Sequence, residues 1–145
     1  PGRIVWSQRR MKHPVLFGYQ CAAGLSDTVT GALLCAVPQF TLHHMGLHIA
    51  ADAMPYISYI GAFVFSVGIC YLYGALLIAV EAPAARMEMV WLLTAFTRSA
   101  VAIYVLKGVL VGDLESGWIT VAAFDAVCAL IQAVGLRRKW LADAQ

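Results

Sequence analysis

The chain has 145 residues, of which 61% are hydrophobic and 12% are charged, with a formal net charge of +2 and a mean hydropathy of +0.77. Soluble domains are roughly 45–50% apolar and about 25% charged, and a chain this short has too large a surface-to-volume ratio to hide the excess apolar area from water. The composition excludes a disordered tail, a nucleic-acid-binding module and an ordinary cytosolic domain. It predicts an integral membrane protein.

Four long apolar runs follow one another along the chain. They cover residues 15–37, 57–80, 89–111 and 118–136. Each run is about 20 residues long, the length that an α-helix needs to cross roughly 30 Å of hydrocarbon, and the strict alternation of outer-membrane strands is absent. The sequence therefore predicts a single transmembrane domain over residues 1–145. Its expected fold is an all-α, integral membrane four-helix bundle with up-down-up-down topology.

Proline and tryptophan residues mark the predicted span boundaries. Pro14 and Pro38 delimit the first run, and proline is well tolerated in the first turn of a helix. Trp118 and Trp140 flank the fourth run at a spacing of about 33 Å along a helix, while Trp91 lies at the start of the third. Because tryptophan is enriched at membrane–water interfaces, all three are predicted to be interfacial anchors.

The basic residues predict the orientation in the membrane. Eight of them fall on one side of the four-span topology, namely Arg3, Arg9, Arg10, Lys12, Arg86, Arg137, Arg138 and Lys139. The other side has Lys107, at the end of a span, together with Asp52, Asp113 and Glu115. Since cytoplasmic connections carry an excess of Lys and Arg, both termini are predicted to be cytoplasmic, in a multi-pass protein of a bacterial inner membrane.

Three charged residues lie near the middle of predicted spans: Asp27, Arg98 and Asp125. Charges at this depth are costly and usually face the bundle interior, where they pair. A guanidinium bridges two acceptors with fixed geometry, so Arg98 is predicted to lie between the two carboxylates. Gln132 follows Asp125 by seven residues and shares its helix face. Two interpretations stay open: a clamp that keeps three helices in register, or a binding site for a proton or small ligand within the bundle.

Small residues recur within the predicted spans. Glycines at roughly heptad spacing are Gly18, Gly24 and Gly31 in the first span and Gly61, Gly68 and Gly74 in the second. Such residues let helices approach closely in lipid, so both sets are predicted to form packing surfaces. The four cysteines are Cys21, Cys35, Cys70 and Cys128. They form no CxxC pair and are predicted to be small buried apolar residues.

A histidine-rich segment, Thr41–Met54, lies in the first non-cytoplasmic connection. If it is helical, His44, His48 and Asp52 fall at i, i+4 and i+8 on one face, with His43 beside them. Imidazole and carboxylate groups are ligands for zinc, copper, nickel or iron, so a metal site is one hypothesis. The alternative is an interfacial amphipathic helix whose leucines dip into the headgroup boundary. The rest of the sequence requires no cofactor.

The apolar segments resemble those of the small bacterial four-helix membrane proteins that include the DoxX-like group. The stretches that carry the resemblance are GLSDTVTGALL, YIGAFVFSVGICYLYGALL, TAFTRSAVAIYVLKG and FDAVCALIQAVGLRR. The resemblance implies a four-helix bundle, and some members of the group are membrane subunits of quinone-linked oxidoreductases. The histidine-rich segment is not part of the family pattern.

These features together predict a small accessory or anchoring subunit of a larger membrane complex, redox or energy-transducing, without catalysis of its own. Its expected partners are membrane lipids and other membrane-protein subunits, and no nucleic acid. One alternative is a proton-coupled or small-molecule binder or transporter that uses Asp27, Arg98 and Asp125. Another is an outer-face metal-handling protein that uses His44, His48 and Asp52.

Overall fold

The computed structural model describes residues 13–141, which are all-helical and contain no β-strand. The five α-helices are α1 (Pro14–Ala36), α2 (Pro38–His44), α3 (Met54–Ala79), α4 (Ala84–Val111) and α5 (Ile119–Arg137). Short 3-10 turns over Ala51–Ala53 and Ser116–Trp118 lead into α3 and α5. The predicted all-α class is confirmed, and the four predicted spans fall on the four long helices. The short helix α2 is an addition to that prediction.

Proline and glycine residues set several helix ends. Pro14 occupies the first turn of α1, where its missing N–H costs no helical hydrogen bond. Pro38 separates α1 from α2, because a residue before proline avoids the helical region and Val37 accordingly has φ −140° and ψ 61°. Gly112 ends α4 in the left-handed region, with φ 81°. The local residue chemistry therefore accounts for these boundaries.

Three segments of the described chain are long and apolar enough to cross a membrane. They are Ala51–Ala79, Ala84–Val111 and Ser116–Arg137, and together they suggest a multi-pass membrane protein. The helix α1 is not among them. It contains Gln20 and Asp27, and both side chains are buried, with only 1% and 7% of the residue surface exposed. The most polar groups of α1 are therefore directed into the protein.

Glycine residues bring α1 and α3 into close contact. A Cβ atom added to Gly31 would lie 2.7 Å from the carbonyl oxygen of Gly61, and one added to Gly68 would lie 2.9 Å from the carbonyl oxygen of Gly24. The C-terminal half of α1 thus meets the N-terminal half of α3, so the two helices run in opposite directions. Gly18 differs, because no atom lies within 4 Å of its Cβ position. The prediction that Gly18 belongs to the packing surface is wrong.

This packing predicts that Gly31→Ala destabilises the protein. The added methyl group would meet backbone atoms of α3, which cannot move without shifting the whole helix, and overpacking of this kind costs about 1–3 kcal/mol. Gly18→Ala is the matched control in the same helix. It should leave stability unchanged or raise it slightly, because alanine is favoured over glycine in a helix interior by about 1 kcal/mol. Thermal unfolding in one detergent measures both, and equal melting temperatures would contradict the close packing.

Apolar side chains close the two ends of the helical assembly. At one end, the end of α3, the start of α4 and the chain after α5 contribute a cluster formed by Leu77, Ile78, Ala82, Met87, Trp91 and Leu141. At the other end, α1, α2, the following loop and α3 contribute Leu34, Leu42, Leu47 and Ile57. The buried charged side chains Asp27, Arg98 and Asp125 lie between these two layers.

The tryptophans do not all occupy interfacial positions. Trp91 is fully buried, and its ring packs edge-on against Tyr19 with the centroids 5.8 Å apart. The prediction that Trp91 is an interfacial anchor is therefore wrong: its position at the start of an apolar run coincides with an inward-facing site on α4. Trp118 is half-buried and Trp140 is 36% exposed, so these two residues retain surface to present to their surroundings.

The four cysteines all lie on α-helices and are free thiols. Cys128 is buried and Cys21 is half-buried, but Cys35 and Cys70 are exposed. The prediction of buried small residues is thus wrong for Cys35 and Cys70, and Cys35 lies beside the contact of α1 with α3 without being covered by it. The Cys35 thiol donates to the carbonyl oxygen of Ser58 at 3.3 Å, which adds a contact between the two helices.

Candidate functional site

Arg98 forms the centre of a buried polar cluster. From the middle of α4, its Nη2 donates to Oδ2 of Asp27 on α1 and its Nη1 donates to Oδ1 of Asp125 on α5. The Arg98 side chain is only 3% exposed. The structure therefore brings together the three charges that the sequence places within its apolar runs, with the guanidinium between the two carboxylates.

A tyrosine from α3 completes the contacts of the guanidinium. Nε of Arg98 donates to the hydroxyl oxygen of Tyr71 at 2.8 Å, and Tyr71 is fully buried. The guanidinium carbon also lies 4.8 Å from the centroid of the Tyr71 ring and 5.0 Å from that of Phe124, distances at which a cation is attracted to an aromatic face. One side chain of α4 thus contacts all three other long helices. The sequence-based cluster did not include Tyr71.

The tyrosine hydroxyl continues the hydrogen-bond network toward α1 and α5. The hydroxyl oxygens of Tyr71 and Tyr19 are 3.5 Å apart, and Tyr19 donates to the carbonyl oxygen of Cys128 at 3.3 Å. The Tyr19 and Tyr71 rings meet edge-to-face, with centroids 6.0 Å apart. Tyr71, which accepts from Arg98, is therefore itself in contact with Tyr19 of α1.

A second buried polar layer lies two helical turns from the charges. Its members are Gln20, Trp91 and Gln132. Gln20 precedes Asp27 by seven residues, Trp91 precedes Arg98 by seven, and Gln132 follows Asp125 by seven. Residues seven apart lie on the same helix face. The predicted residue Gln132 donates from Nε2 to Oγ1 of Thr94 at 2.7 Å, and Thr94 donates in turn to the carbonyl oxygen of Val90 at 2.7 Å. Gln132 thus belongs to this layer and bonds to Thr94.

Each of the three residues in the second layer has one polar atom without a hydrogen-bond partner among the described residues. These atoms are Oε1 of Gln20, Nε1 of Trp91 and Oε1 of Gln132. All three residues are at most 1% exposed. Buried polar groups are nearly always hydrogen-bonded, to protein or to ordered water, so ordered water is the expected partner of these three atoms.

The polar residues next to the charges in sequence do not all face inward. Thr94 is buried, whereas Ser26 is exposed and Ser99 is half-buried. A helix turns by about 100° per residue, so the immediate neighbours of an inward-facing residue point to the sides. The spacing of seven therefore identifies the interior of this protein better than adjacency does.

The histidine segment does not form the continuous helix on which its predicted metal site depends. The helix α2 ends at His44, and Gly46 has φ 71°. The N–H of Leu47 donates to the carbonyl of Leu42 at 2.9 Å and the N–H of Gly46 to that of His43 at 3.0 Å, which is the hydrogen-bond pattern of a Schellman C-cap. Leu42 and Leu47 are both buried, so they do not reach the headgroup boundary as an interfacial helix would require.

The predicted metal-binding residues are consequently not gathered on one helix face. His43 and His44 lie at the end of α2, His48 follows in the loop, and Asp52 lies in the 3-10 turn. Within residues 13–141, no group of three His, Cys, Asp or Glu side chains is arranged to hold a metal ion. The predicted arrangement is wrong because Gly46 ends the helix before His48 and Asp52.

The segment instead closes one end of the helical assembly. The backbone N–H of His48 donates to the carboxylate of Glu115 at 3.2 Å, which joins this loop to the connection between α4 and α5. The imidazole of His44 contacts the carbonyl oxygen of Phe40, one turn earlier in α2, at 2.9 Å. His43 and His48 line an open cavity of about 390 Å³ beside Leu42. The contacts given by the structure therefore assign this segment a packing role.

Comparisons with known protein families, with curated proteins and with solved structures find no match for the chain.

Proposed function

We propose that the chain is an integral membrane four-helix bundle with up-down-up-down topology, in which α1 crosses the membrane with α3, α4 and α5. The 23 residues of α1 make a helix about 35 Å long, and its buried Gln20 and Asp27 do not face lipid. The close contact of Gly31 with Gly61 supports opposite directions for α1 and α3. Contacts of Arg98 with Asp125, and of Thr94 with Gln132, support the same for α4 and α5.

We infer that both termini face the cytoplasm of a bacterial inner membrane. The exposed basic residues at the end formed by the start of α4 and the end of α5 are Arg86, Arg137, Arg138 and Lys139. At the opposite end, the exposed charged residues are Asp52, Lys107, Asp113 and Glu115. This asymmetry supports the orientation by the positive-inside rule. Four further basic residues, Arg3, Arg9, Arg10 and Lys12, support it from the sequence and lie outside the described residues.

The function that we propose is that of an accessory or anchoring subunit of a larger membrane complex. The observation that carries the proposal is the bonding of Arg98 to all three other long helices, which gives the bundle a rigid interior and directs its charges inward. The outer faces then present large apolar side chains, such as Tyr59 and Phe96, both 75% exposed. Apolar surface of this kind contacts lipid or the helices of other subunits equally well.

The resemblance to DoxX-like proteins favours a redox or energy-transducing complex. This part of the proposal depends on the resemblance of the apolar segments and on the known membership of some of those proteins in quinone-linked oxidoreductases. The bundle itself would supply a scaffold and a membrane anchor, and the catalytic groups would lie in the partner subunits.

Photo-crosslinking in the native membrane tests the proposal. A photoreactive residue is introduced at one exposed position of each long helix: Leu25, Tyr59, Phe96 and Leu130. We expect protein crosslinks to the same partner from one or two neighbouring helices, identified by mass spectrometry, because a subunit interface covers only part of the bundle. The remaining positions should give crosslinks to lipid.

The irradiated chain without a photoreactive residue is the control. Lipid crosslinks from all four positions, together with a monomeric species that has its own turnover after mild solubilisation, would contradict the accessory role.

A further inference from the structure

The buried cluster contains one more acidic group than basic groups. Asp27 and Asp125 both bond to the single guanidinium of Arg98, so the formal charge is −1 when both carboxylates are ionised. The neutral titratable groups that face it are Tyr19 of α1, Tyr71 of α3 and Cys128 of α5. Within residues 13–141, Arg98 is the basic side chain that contacts these carboxylates. The excess negative charge is therefore not balanced by another cation of the described chain.

An ionised carboxylate without a counter-charge is very costly in an apolar interior, and such a group takes up a proton instead. We propose that the cluster is a proton-binding site that holds one exchangeable proton at neutral pH, on Asp27 or Asp125. Arg98 contacts Oδ2 of Asp27 and Oδ1 of Asp125, which leaves the other oxygen of each group to carry the proton. One guanidinium, one carboxylate and one carboxylic acid then sum to zero charge.

The two carboxyl groups are more accessible than the guanidinium between them. The side chains of Asp27 and Asp125 are 10% and 11% exposed, against 3% for Arg98. The guanidinium is therefore the most enclosed of the three charged groups, and a proton on either carboxyl group leaves the contact of Arg98 with Tyr71 in place.

The second polar layer lies between the charged cluster and one end of the bundle. The unpartnered atoms of Gln20, Trp91 and Gln132 lie two turns from the charges, toward the end of the bundle at which α3 connects to α4. Buried polar groups of this kind are characteristic sites for internal water. Water bound there would lie on the side of the cluster that the proposed topology directs toward the cytoplasm.

Infrared spectroscopy of the isolated chain in lipid nanodiscs tests the proton site. A protonated carboxyl group has a carbonyl stretch that is separate from the amide bands and that shifts in deuterated water. We expect the wild-type chain at neutral pH to show a band whose intensity corresponds to one protonated carboxyl group per chain. Absence of the band would overturn the proposal, and this measurement needs no variant.

Single substitutions test whether the protonated carboxyl group belongs to the cluster. Asp27→Asn and Asp125→Asn should each abolish the band, since either change leaves one carboxylate balanced by Arg98. Asp113→Asn, at an exposed position between α4 and α5, is the matched control and should retain it. A band that persists in both cluster variants would overturn the proposal. The inference rests on the proposed membrane-embedded bundle but not on the accessory role, so a failed search for partner subunits would leave the infrared result unaffected.

Discussion

The double substitution Asp27→Asn/Asp125→Asn is expected to prevent stable folding, whereas either single substitution is tolerated. In the double variant the guanidinium of Arg98 remains buried without a counter-charge, and arginine does not lose its proton in proteins. Removing the partner of a buried charge costs about 3–5 kcal/mol, which is a large part of the roughly 5–15 kcal/mol that stabilises a typical domain. The expected result is a protein that aggregates or unfolds at a much lower temperature.

Each single variant retains one ion pair, and the asparagine amide oxygen still accepts a hydrogen bond from the guanidinium. We therefore expect a loss of about 0.5–1.5 kcal/mol for either one, the net contribution of an ordinary hydrogen bond. Thermal unfolding in the same detergent measures all three proteins. The loss in the double variant should far exceed the sum of the two single losses, and additive losses would contradict the assignment of Arg98 as a shared partner.

Adding Arg98→Met to the double variant separates charge from packing. Methionine is unbranched and fills irregular apolar spaces, and replacement of a buried ion-pair group by an apolar one is often nearly neutral. The triple variant should therefore be more stable than the double variant. If it is not, the unpaired charge is not the cause of the instability.

The pairing of Arg98 could be predicted from the sequence because charges within apolar runs are rare and must find partners. The participation of Tyr71 could not be predicted in the same way. Tyr71 and Tyr73 stand two residues apart in one apolar stretch, yet Tyr71 is fully buried and Tyr73 is 49% exposed. Both tyrosines are compatible with either face, so only the packing of α3 against its neighbours decides which one meets Arg98.

The seven-residue spacing relates the second polar layer to the buried charges on α1, α4 and α5. It placed Gln132 on the face of Asp125, and the same spacing connects Gln20 to Asp27 and Trp91 to Arg98. Applied to all three charges, it would have found the second polar layer. It would not have shown that an atom in each of these side chains lacks a partner, because hydrogen bonding depends on the side-chain conformations of adjacent helices.

For the histidine segment, the sequence itself contains a residue that contradicts the predicted continuous helix. Its ligand spacing is meaningful only in an uninterrupted helix, and Gly46 lies in the middle of the segment. Glycine in the left-handed region is the usual residue after a helix C-terminus, so the signal for the end of α2 was present in the sequence. In a short segment between spans, a helix-terminating residue therefore predicts the structure better than the spacing of possible metal ligands does.

Trp91→Ala is expected to lower the free energy of unfolding by about 3–5 kcal/mol, as is typical for removal of a large aromatic side chain from a core. The physical reason is that Trp91 is fully buried in the apolar cluster at the end of α3 and the start of α4, where its ring also contacts Tyr19. An interfacial anchor would lose much less, because lipid headgroups and water would fill the vacated space. Thermal or denaturant unfolding of the purified protein distinguishes these two positions of the side chain.

Trp91→Phe and Trp140→Ala provide the controls. Phenylalanine retains an aromatic ring and loses only the indole Nε1, which has no hydrogen-bond partner in the described part of the chain, so Trp91→Phe should recover most of the stability. Trp140 is 36% exposed, so its replacement by alanine should cost clearly less than Trp91→Ala. Equal losses for Trp91→Ala and Trp140→Ala would contradict the core position of Trp91. They would also show that the Trp91 indole does not belong to the second polar layer. A ring at the interface does not lie on the interior face of α4 that carries Arg98.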